Sequence, residues 1–531
     1  MRSFDYVIVG GGSAGCALAS RLSEDAGASV CLLEAGPEDG NPLVRIPAGV
    51  VGTSPTRNFN WAFKSVPQPE FNNRRAYIPR GKVLGGSSAI NAMVYTRGHP
   101  WDYDHWAALG NAGWGWKDVL PYFRKSENNE RGANEFHGVG GPLNVADLRS
   151  PNPFVKIFLE AAGQAGLPAN GDFNGACQEG AGPYQVTQKN GERCSAARAY
   201  IEPARSRANL AVITGARATR VVFEGRRAAG VAYRRSGVDV EVRAQREVIL
   251  SAGALQSPQL LMLSGVGPGA TLQQFGIPVV QDVSGVGRNL QDHPDFVFAY
   301  RARSSELFGI ALGAAWRMPW AYWQYIRRRR GLLTTNFAEA GAFAKTEPAL
   351  ETPDVQLHFV IALMDDHGRR LHWGYGYSCH VCLLRPKSVG QVGLKSADPY
   401  DAPLIDPNFF GDPTDLDGML RGFKLTRRVM DAPAFAPYRL GEMFTAEARS
   451  DDEIRAILRA RADNVYHPVG TCRMGSDSMA VVDAELRVRG LERLRVVDAS
   501  IMPTLVAGNT NAPTIMIAEK AVDLIRAAAR G

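Results

Sequence analysis

The sequence predicts an α/β fold in which a doubly wound parallel sheet is assembled from separated stretches of chain and a second domain carries an antiparallel sheet flanked by helices. Three observations lead there. Phe4-Asp5-Tyr6-Val7-Ile8-Val9 is an apolar, strand-like run that stops at Gly10-Gly11-Gly12-Ser13-Ala14-Gly15 and continues into the small-residue helix pattern Cys16 to Leu22. A second buried strand, Arg246 to Leu250, closes on the small residues Ser251-Ala252-Gly253-Ala254 far along the chain, so the first unit resumes after an insertion. Between 300 and 460 the pattern changes to strand-like runs at Val355 to Leu363, Tyr377 to Leu384 and Gln391 to Leu394, consistent with an antiparallel sheet.

Gly10, Gly12 and Gly15 fit G-x-G-x-x-G between a strand and a helix. Glycines there permit a tight turn and close backbone approach, and the helix offers its free N–H groups to a pyrophosphate. Ser29 to Glu34 reads as the next strand and ends on an acid nineteen positions past Gly15. A carboxylate in that place accepts both ribose hydroxyls of an adenosine and repels a 2′-phosphate. Nicotinamide and flavin dinucleotides share this fingerprint, so the choice between them comes from elsewhere.

Composition narrows the class. At 531 residues, with 45% hydrophobic and 21% charged residues, the chain is long enough for a sizeable core and is no disordered segment. Its charge, 60 basic minus 53 acidic residues or +7, is spread thinly and gives no reason to expect nucleic acid. Met1-Arg2-Ser3 runs straight into the first strand without room for a leader, and no stretch reaches the ~18 apolar residues a membrane span needs. Seven scattered cysteines point to reduced thiols and a cytoplasmic setting. Cys379-His380-Val381-Cys382 has redox or zinc spacing, but it lacks a second pair and sits in a strand-like alternation, so core packing is expected and no metal site.

In chain order, 1–150 forms the first stretch of the dinucleotide domain. After Glu34-Ala35 a long Pro-, Asn- and Gly-rich excursion, with Trp61 in it, leads to Pro79 to Tyr95, where Gly81, Val83, Gly85, Gly86 and Ser88 precede Asn91-Ala92-Met93-Val94. This second loop of small residues is another anion cradle, and two cradles suit a diphosphate with a long second half better than a nicotinamide dinucleotide. The aromatic stretch from Trp101 to Trp116 reads as core. Residues 151–195, opening on an amphipathic helix over 151–166, begin the substrate domain. The dinucleotide domain resumes over 196–300, including the strand around Val221, and the substrate domain over 301–460.

Within that last stretch, Trp316 to Ile326 carries clustered indoles ahead of Arg327 to Arg330, a composition suited to the headgroup layer of an anionic membrane or, equally, to an exposed helix or subunit contact. The closing stretch, 461–531, returns to the ligand. Leu494 to Ser500 is a buried strand ending in Asp498-Ala499, and Asn509 to Ile515 opens the last helix, with Asn511 or Thr510 at the cap and Pro513 in the first turn.

These motifs resemble the glucose-methanol-choline (GMC) flavoprotein oxidoreductases over essentially the full length. The resemblance rests on Gly10 to Gly15 with Glu34, on Gly81 to Asn91, on Gly253 to Gly267, and on Tyr466-His467-Pro468-Val469-Gly470-Thr471 with Asn509 to Thr514. It is strongest toward bacterial alcohol dehydrogenases of aliphatic primary alcohols, with choline dehydrogenase next. It implies FAD bound extended in the discontinuous domain, a substrate sheet of about six strands, and dissociable flavin, because members with covalent flavin can carry His where this chain has Ile90. Contacts implied for FAD are Gly10, Gly12, Ser13, Ala14, Gly15, Glu34, Ala35, Trp61, Gly81, Val83, Gly85, Gly86, Ser88, Asn91, Ala92, Met93, Val94, Val221, Ala252, Gly253, Tyr466, Asp498, Ala499, Asn511 and Pro513.

Oxidising an alcohol removes a proton from oxygen and a hydride from carbon, so a base near neutral pKa must face the flavin. The family motif puts that base at His467. Asn509 matches the position of a second His or Asn, where an amide N–H stabilises a developing alkoxide. The implied reaction is oxidation of an aliphatic or aromatic primary alcohol to an aldehyde, with electrons passed to a quinone or similar acceptor. A peroxide-forming oxidase, a choline dehydrogenase and a flavin-containing lyase are the alternatives on the same scaffold.

Overall fold

The computed structural model describes residues 2–530. Met1, with which the expected direct entry into the first strand begins, lies outside them. The first sheet contains β1 (Arg2–Val9), β2 (Val30–Leu33), β3 (Leu210–Ile213), β4 (Ala216–Glu224), β5 (Arg227–Arg235), β6 (Val238–Leu250) and β7 (Leu494–Val496). Its order is β3-β2-β1-β6-β5-β4, with β7 added against β6. Strands β3, β2, β1, β6 and β7 run parallel, whereas β4 and β5 form an antiparallel extension of β6.

Residues 6–9, 30–33 and 248–250 are completely apolar and buried, the pattern of a parallel sheet covered on both faces. Register then fixes the ligand end. Val9 pairs with Leu33 and Leu250, and Leu250 pairs with Val496. The next residues, Gly10, Glu34, Ser251 and Val497, therefore emerge side by side at the carboxyl edge, where open α/β sheets take their ligands.

Two helices end at that edge. Helix α1 (Ser13–Leu22) begins inside the glycine loop, and α3 (Asn511–Ala528) begins beside it. Ser13 Oγ donates to Asn511 Oδ1 at 2.7 Å, so both N-termini face one place.

The second sheet has the order Arg439–Glu442, Pro294–Ala302, Gly374–Leu383, Val355–Val360, Ala338–Ala344, Gly180–Pro183, antiparallel throughout. Six strands make the continuous path, and the short Gly309–Ile310 and Asp463–Asn464 attach to it. Helices Phe154–Gln164 and Pro413–Met430 cover one face. Strand alternation assigns the faces. Phe359 stacks on Phe158 at 4.8 Å on the helix side, which leaves Gln356, His358 and Val360 on the other.

The same alternation settles the Cys379/Cys382 pair. Three residues apart on a strand, the thiols point to opposite faces, and both are buried. The run Gln391 to Leu394 departs from expectation. Gly390–Gly393 joins a separate three-stranded sheet with Arg288–Leu290 and Leu404–Asp406, because Val392 buries against Leu290 and Ile405 rather than in the main sheet. Trp106 and Trp114 are fully buried core residues, as expected.

Among its described residues, helix α2 (Leu312–Arg328) buries Ala321 and Tyr325 and leaves Trp316, Trp320 and Trp323 at 86%, 57% and 41% exposure. No helix among the described residues is long and apolar enough to cross a membrane.

Candidate active site

A cavity of about 650 Å³ lies between the carboxyl edge of the first sheet and the uncovered face of the second. Its inner part is built from the glycine loops. Gly10 has φ +101°, and a Cβ there would sit 2.4 Å from the Ser251 carbonyl oxygen. A Cβ on Gly12 would meet nothing within 4 Å, so that backbone faces open space where a diphosphate fits. The second loop packs on the first. Gly85 donates its N–H to the Gly11 carbonyl at 2.7 Å, and a Cβ on Gly86 would fall 2.6 Å from Gly12 Cα.

Glu34 is buried, accepts the Gly11 N–H on Oε2 at 2.9 Å and the Gly36 N–H on Oε1 at 2.7 Å, and is pushed up to about 7 by desolvation. Each oxygen keeps a second acceptor position. Asp498 accepts from Gly253 N–H (2.8 Å), Ser257 Oγ (2.5 Å) and Ser500 N–H (2.8 Å), tying the ends of β6 and β7 together. Trp61 lies between Lys82 and Arg217, with the cations 4.5 and 5.0 Å from its ring centre.

Ser13, Ala14, Ala35, Gly81, Ser88, Ile90, Asn91, Ala92, Met93, Val94, Ala252, Ala499 and Asn511 also line the cavity. Gly15, Val83, Gly85, Val221 and Pro513 do not. Gly15 lets α1 pass its own loop, since a Cβ there would strike the Gly10 carbonyl at 1.9 Å. Val83 is buried against Val44, Ala89 and Ile90. Val221 is buried within β4, its N–H held by Ser264 Oγ, and the wall is instead formed by Ala216, Arg217 and Ala218 at the start of that strand. Pro513 occupies the first turn of α3 behind Asn511. These residues shape the loops and helices from behind.

The outer part brings together His467 and Asn509, whose Nε2 and Nδ2 are 3.1 Å apart. The His467 ring is aimed by the turn before it. Tyr466 has φ +73°, a left-handed conformation that costs an aromatic residue about 1–3 kcal/mol. The turn is held by Asn464 Oδ1, which accepts the Tyr466 N–H, and by Arg80, which donates to the Tyr466 carbonyl at 2.8 Å. Asp292 Oδ1 accepts the His467 N–H at 2.8 Å. Desolvation, with His293, His358 and Arg80 nearby, holds the imidazole well below the usual histidine range rather than near neutral as expected, so it is deprotonated at pH 7.

Asn509 is oriented by its own partners. Thr96 Oγ1 donates to Oδ1 at 3.1 Å and accepts the Asn509 N–H at 2.8 Å, while Gln356 Nε2 donates to Oδ1 at 3.3 Å. The amide NH₂ is left facing His467 and the cavity.

Sequence reasoning named neither Thr96 nor Gln356, and it passed over Arg80, Asp292, His293 and His358. His358 is buried and lines the cavity beside Asn509. The His-Pro pair recurs at His99-Pro100, His293-Pro294 and His467-Pro468, and the first of these caps a helix, so the pair alone gave no usable signal.

Two family profiles described as GMC oxidoreductase match residues 4–295 and 386–518. The chain belongs to the GMC oxidoreductase family. It is 52% identical over 526 residues to alcohol dehydrogenase [acceptor] of Pseudomonas putida, covering 98% of this chain and 95% of that one. It is 44% identical to human mitochondrial choline dehydrogenase over 98% and 90% of the two chains.

Among solved structures it is similar to pyridoxine 4-oxidase from "Mesorbium loti" (32% identity, TM-score 0.89, 98% of both chains) and to an arginine-to-alanine variant of Aspergillus oryzae formate oxidase (27%, 0.92, 100% and 99%). The cofactor of this GMC oxidoreductase is FAD. The chain's own features fit it: an open backbone at Gly12, a carboxylate at Glu34 with acceptor positions to spare, and the paired N-termini of α1 and α3, whose partial positive charge suits the diphosphate and the anionic edge of a reduced isoalloxazine.

Proposed function

We propose that this GMC oxidoreductase converts neutral, apolar primary alcohols to aldehydes, with FAD as hydride acceptor and a quinone or similar compound as the second substrate. The observation that carries the reading is the His467–Asn509 pair at the end of a cavity whose outer wall carries Phe308, Ile310, Phe337, Val360, Leu363, Met364 and Leu371 beside His358, His367, His372 and His380. Among the described lining residues the only carboxylates are Glu34 and Asp498, both engaged by backbone N–H groups at the dinucleotide end. Near His467 the carboxyl is Asp292, which is held by backbone N–H groups and does not line the cavity, so a quaternary ammonium would meet no lining carboxylate there; this favours the alcohol dehydrogenase relative over the choline dehydrogenases as a guide to substrate.

Bound FAD supplies the electron sink. The chain's residues do the rest. His467 Nε2 takes the hydroxyl proton, and the Asn509 amide N–H, held in place by Thr96 and Gln356, stabilises the negative charge that grows on oxygen. The apolar wall excludes water and seats the alkyl or aryl tail.

Alcohols of increasing chain length, mixed anaerobically with the purified yellow protein, are expected to bleach it, with apparent affinity improving along the series. Choline is expected to bleach it poorly. No bleaching by any alcohol would favour a lyase instead, and near-stoichiometric peroxide per aldehyde in air would make the protein an oxidase.

The reading includes a peripheral position on the inner face of the cytoplasmic membrane through 316–333. In support, residues 307–337 hold five arginines and no acid, and α2 turns three indoles outward, two of them stacked at 4.7 Å. Each cation near an anionic surface contributes about 1 kcal/mol. Vesicles containing phosphatidylglycerol are expected to sediment the protein, and replacing Arg327, Arg328 and Arg330 with Ser should return it to the supernatant. Unchanged partition would remove the membrane from the proposal.

A further inference from the structure

Behind His467 lies a second imidazole. His293 Nδ1 is 3.0 Å from His467 Nδ1, with the rings perpendicular (89°), and His293 Nε2 is 3.1 Å from the Leu384 carbonyl oxygen. His293 is completely buried, and its backbone N–H is held by Asp292 Oδ1, the same oxygen that accepts the His467 N–H.

The Val506 carbonyl also lies against the His293 ring, and the Leu384 contact points to one assignment of protons. A carbonyl oxygen only accepts, so His293 carries its hydrogen on Nε2. A neutral imidazole then has a bare lone pair on Nδ1. Two lone pairs 3.0 Å apart repel, so His467 must donate from its own Nδ1–H. The remaining lone pair of His467 is on Nε2, the atom facing the Asn509 NH₂ and the cavity. In the opposite tautomer of His467, Nε2–H would point at the amide hydrogens and the base would be turned to the rear.

We propose that His293 is a positioning residue: by presenting Nδ1 to His467 Nδ1–H it fixes the tautomer in which His467 Nε2 is the proton acceptor, and it supports the imidazolium formed when that proton arrives. The proposal rests on the alcohol-oxidising reading of the site. In the step concerned, the substrate O–H bond breaks, an Nε2–H bond forms, and the positive charge on His467 is shared through a hydrogen bond that strengthens as the donor becomes cationic. No proton passes to His293, whose other nitrogen stays on Leu384. The charged and titratable groups around the pair are Arg385 beside His293, His358 and Arg80 beside His467, and Asp292 beside both backbones. The one carboxyl among them, Asp292, is spent on the two backbone N–H groups and makes no hydrogen bond to either ring, so His293 is the group that meets His467 Nδ1. Burial pushes His293 down to about 3, which keeps it a neutral acceptor.

Two variants separate this role from simple packing. His293→Leu fills the space without an acceptor, whereas His293→Asn places Oδ1 near the lost Nδ1 and restores one. In the FAD-loaded protein, the limiting rate of anaerobic flavin reduction in His293→Leu is expected to fall about 10²-fold or more, the scale of a misoriented general base. Alcohol affinity should change little, and the acid-side pKa of the rate profile should move down because the imidazolium has lost its partner. His293→Asn should recover most of the rate and of the profile.

Equal losses in both variants, or a wild-type rate and profile in His293→Leu, would overturn the proposal. A wild-type protein that no alcohol bleaches overturns the functional reading itself, so the two failures are distinguishable. Should His293→Leu not fold, ¹⁵N shifts of labelled histidine in the wild type, assigned with His467→Gln, give the same answer: a protonated Nδ1 on His467 is expected, and a protonated Nε2 overturns it.

Discussion

His467→Ala is expected to purify yellow, with its FAD content unchanged, and to reduce that flavin about 10²- to 10⁴-fold more slowly than the wild type, the range a positioned general base supplies. The His467 side chain hydrogen-bonds to Asn509 and His293 rather than to the glycine loops, so cofactor binding is expected to hold. Stopped-flow bleaching with a saturating alcohol is the measurement. A wild-type rate would remove His467 from the proton transfer.

The pH dependence has a definite sign. Because burial lowers the His467 pKa, the base is already deprotonated at pH 7, and the rate should stay level through the ordinary histidine range. It should fall only at more acidic pH, where Nε2 becomes protonated and can no longer accept. A break near 6.5 would mean that the imidazole is hydrated.

Glu34→Ala is expected to act at the opposite end. The carboxyl accepts the Gly11 and Gly36 N–H groups and has two acceptor positions left for the adenosine ribose, and hydrogen bonds to a partner that burial leaves only partly charged contribute about 1–3 kcal/mol each. Losing two corresponds to a drop in FAD affinity of about 30-fold or more, with unpaired glycine N–H groups adding to it. Titration of apoprotein with FAD, followed by flavin fluorescence, reads this directly. Once saturated with FAD, Glu34→Ala should reduce at close to the wild-type rate; affinity equal to wild type would mean that the ribose is held elsewhere.

The two ends of the cavity differ in how much of them was legible beforehand. The inner end is local chemistry. Gly10, Gly12, Gly15 and Glu34 are close in sequence, and the reason for each is a turn, a close approach or a strand end that period and spacing reveal. The antiparallel sheet was visible as alternation, although Gly390–Gly393 belongs to a different sheet because alternation does not say which neighbour a strand pairs with.

Val221 shows the same limit. Its strand was recognisable, but the cavity lies at the start of β4, where Ala216 to Ala218 form the wall. The outer end was less legible still. Thr96 and Gln356 orient Asn509 across 413 and 153 residues, and no periodicity in either segment announces such a meeting.

The sequence by itself determined the family, the two-sheet α/β architecture and FAD, since those follow from short motifs whose backbone conformation and hydrogen-bonding capacity are local properties. Only the tertiary structure decided that His467 is buried and neutral, that His293 stands behind it 174 residues away in the chain, and that no carboxylate is among the described residues lining the substrate end. Desolvation and hydrogen-bond partnership are properties of what packs around a group, and packing is set by strand register and sheet-to-sheet contact rather than by neighbours along the chain.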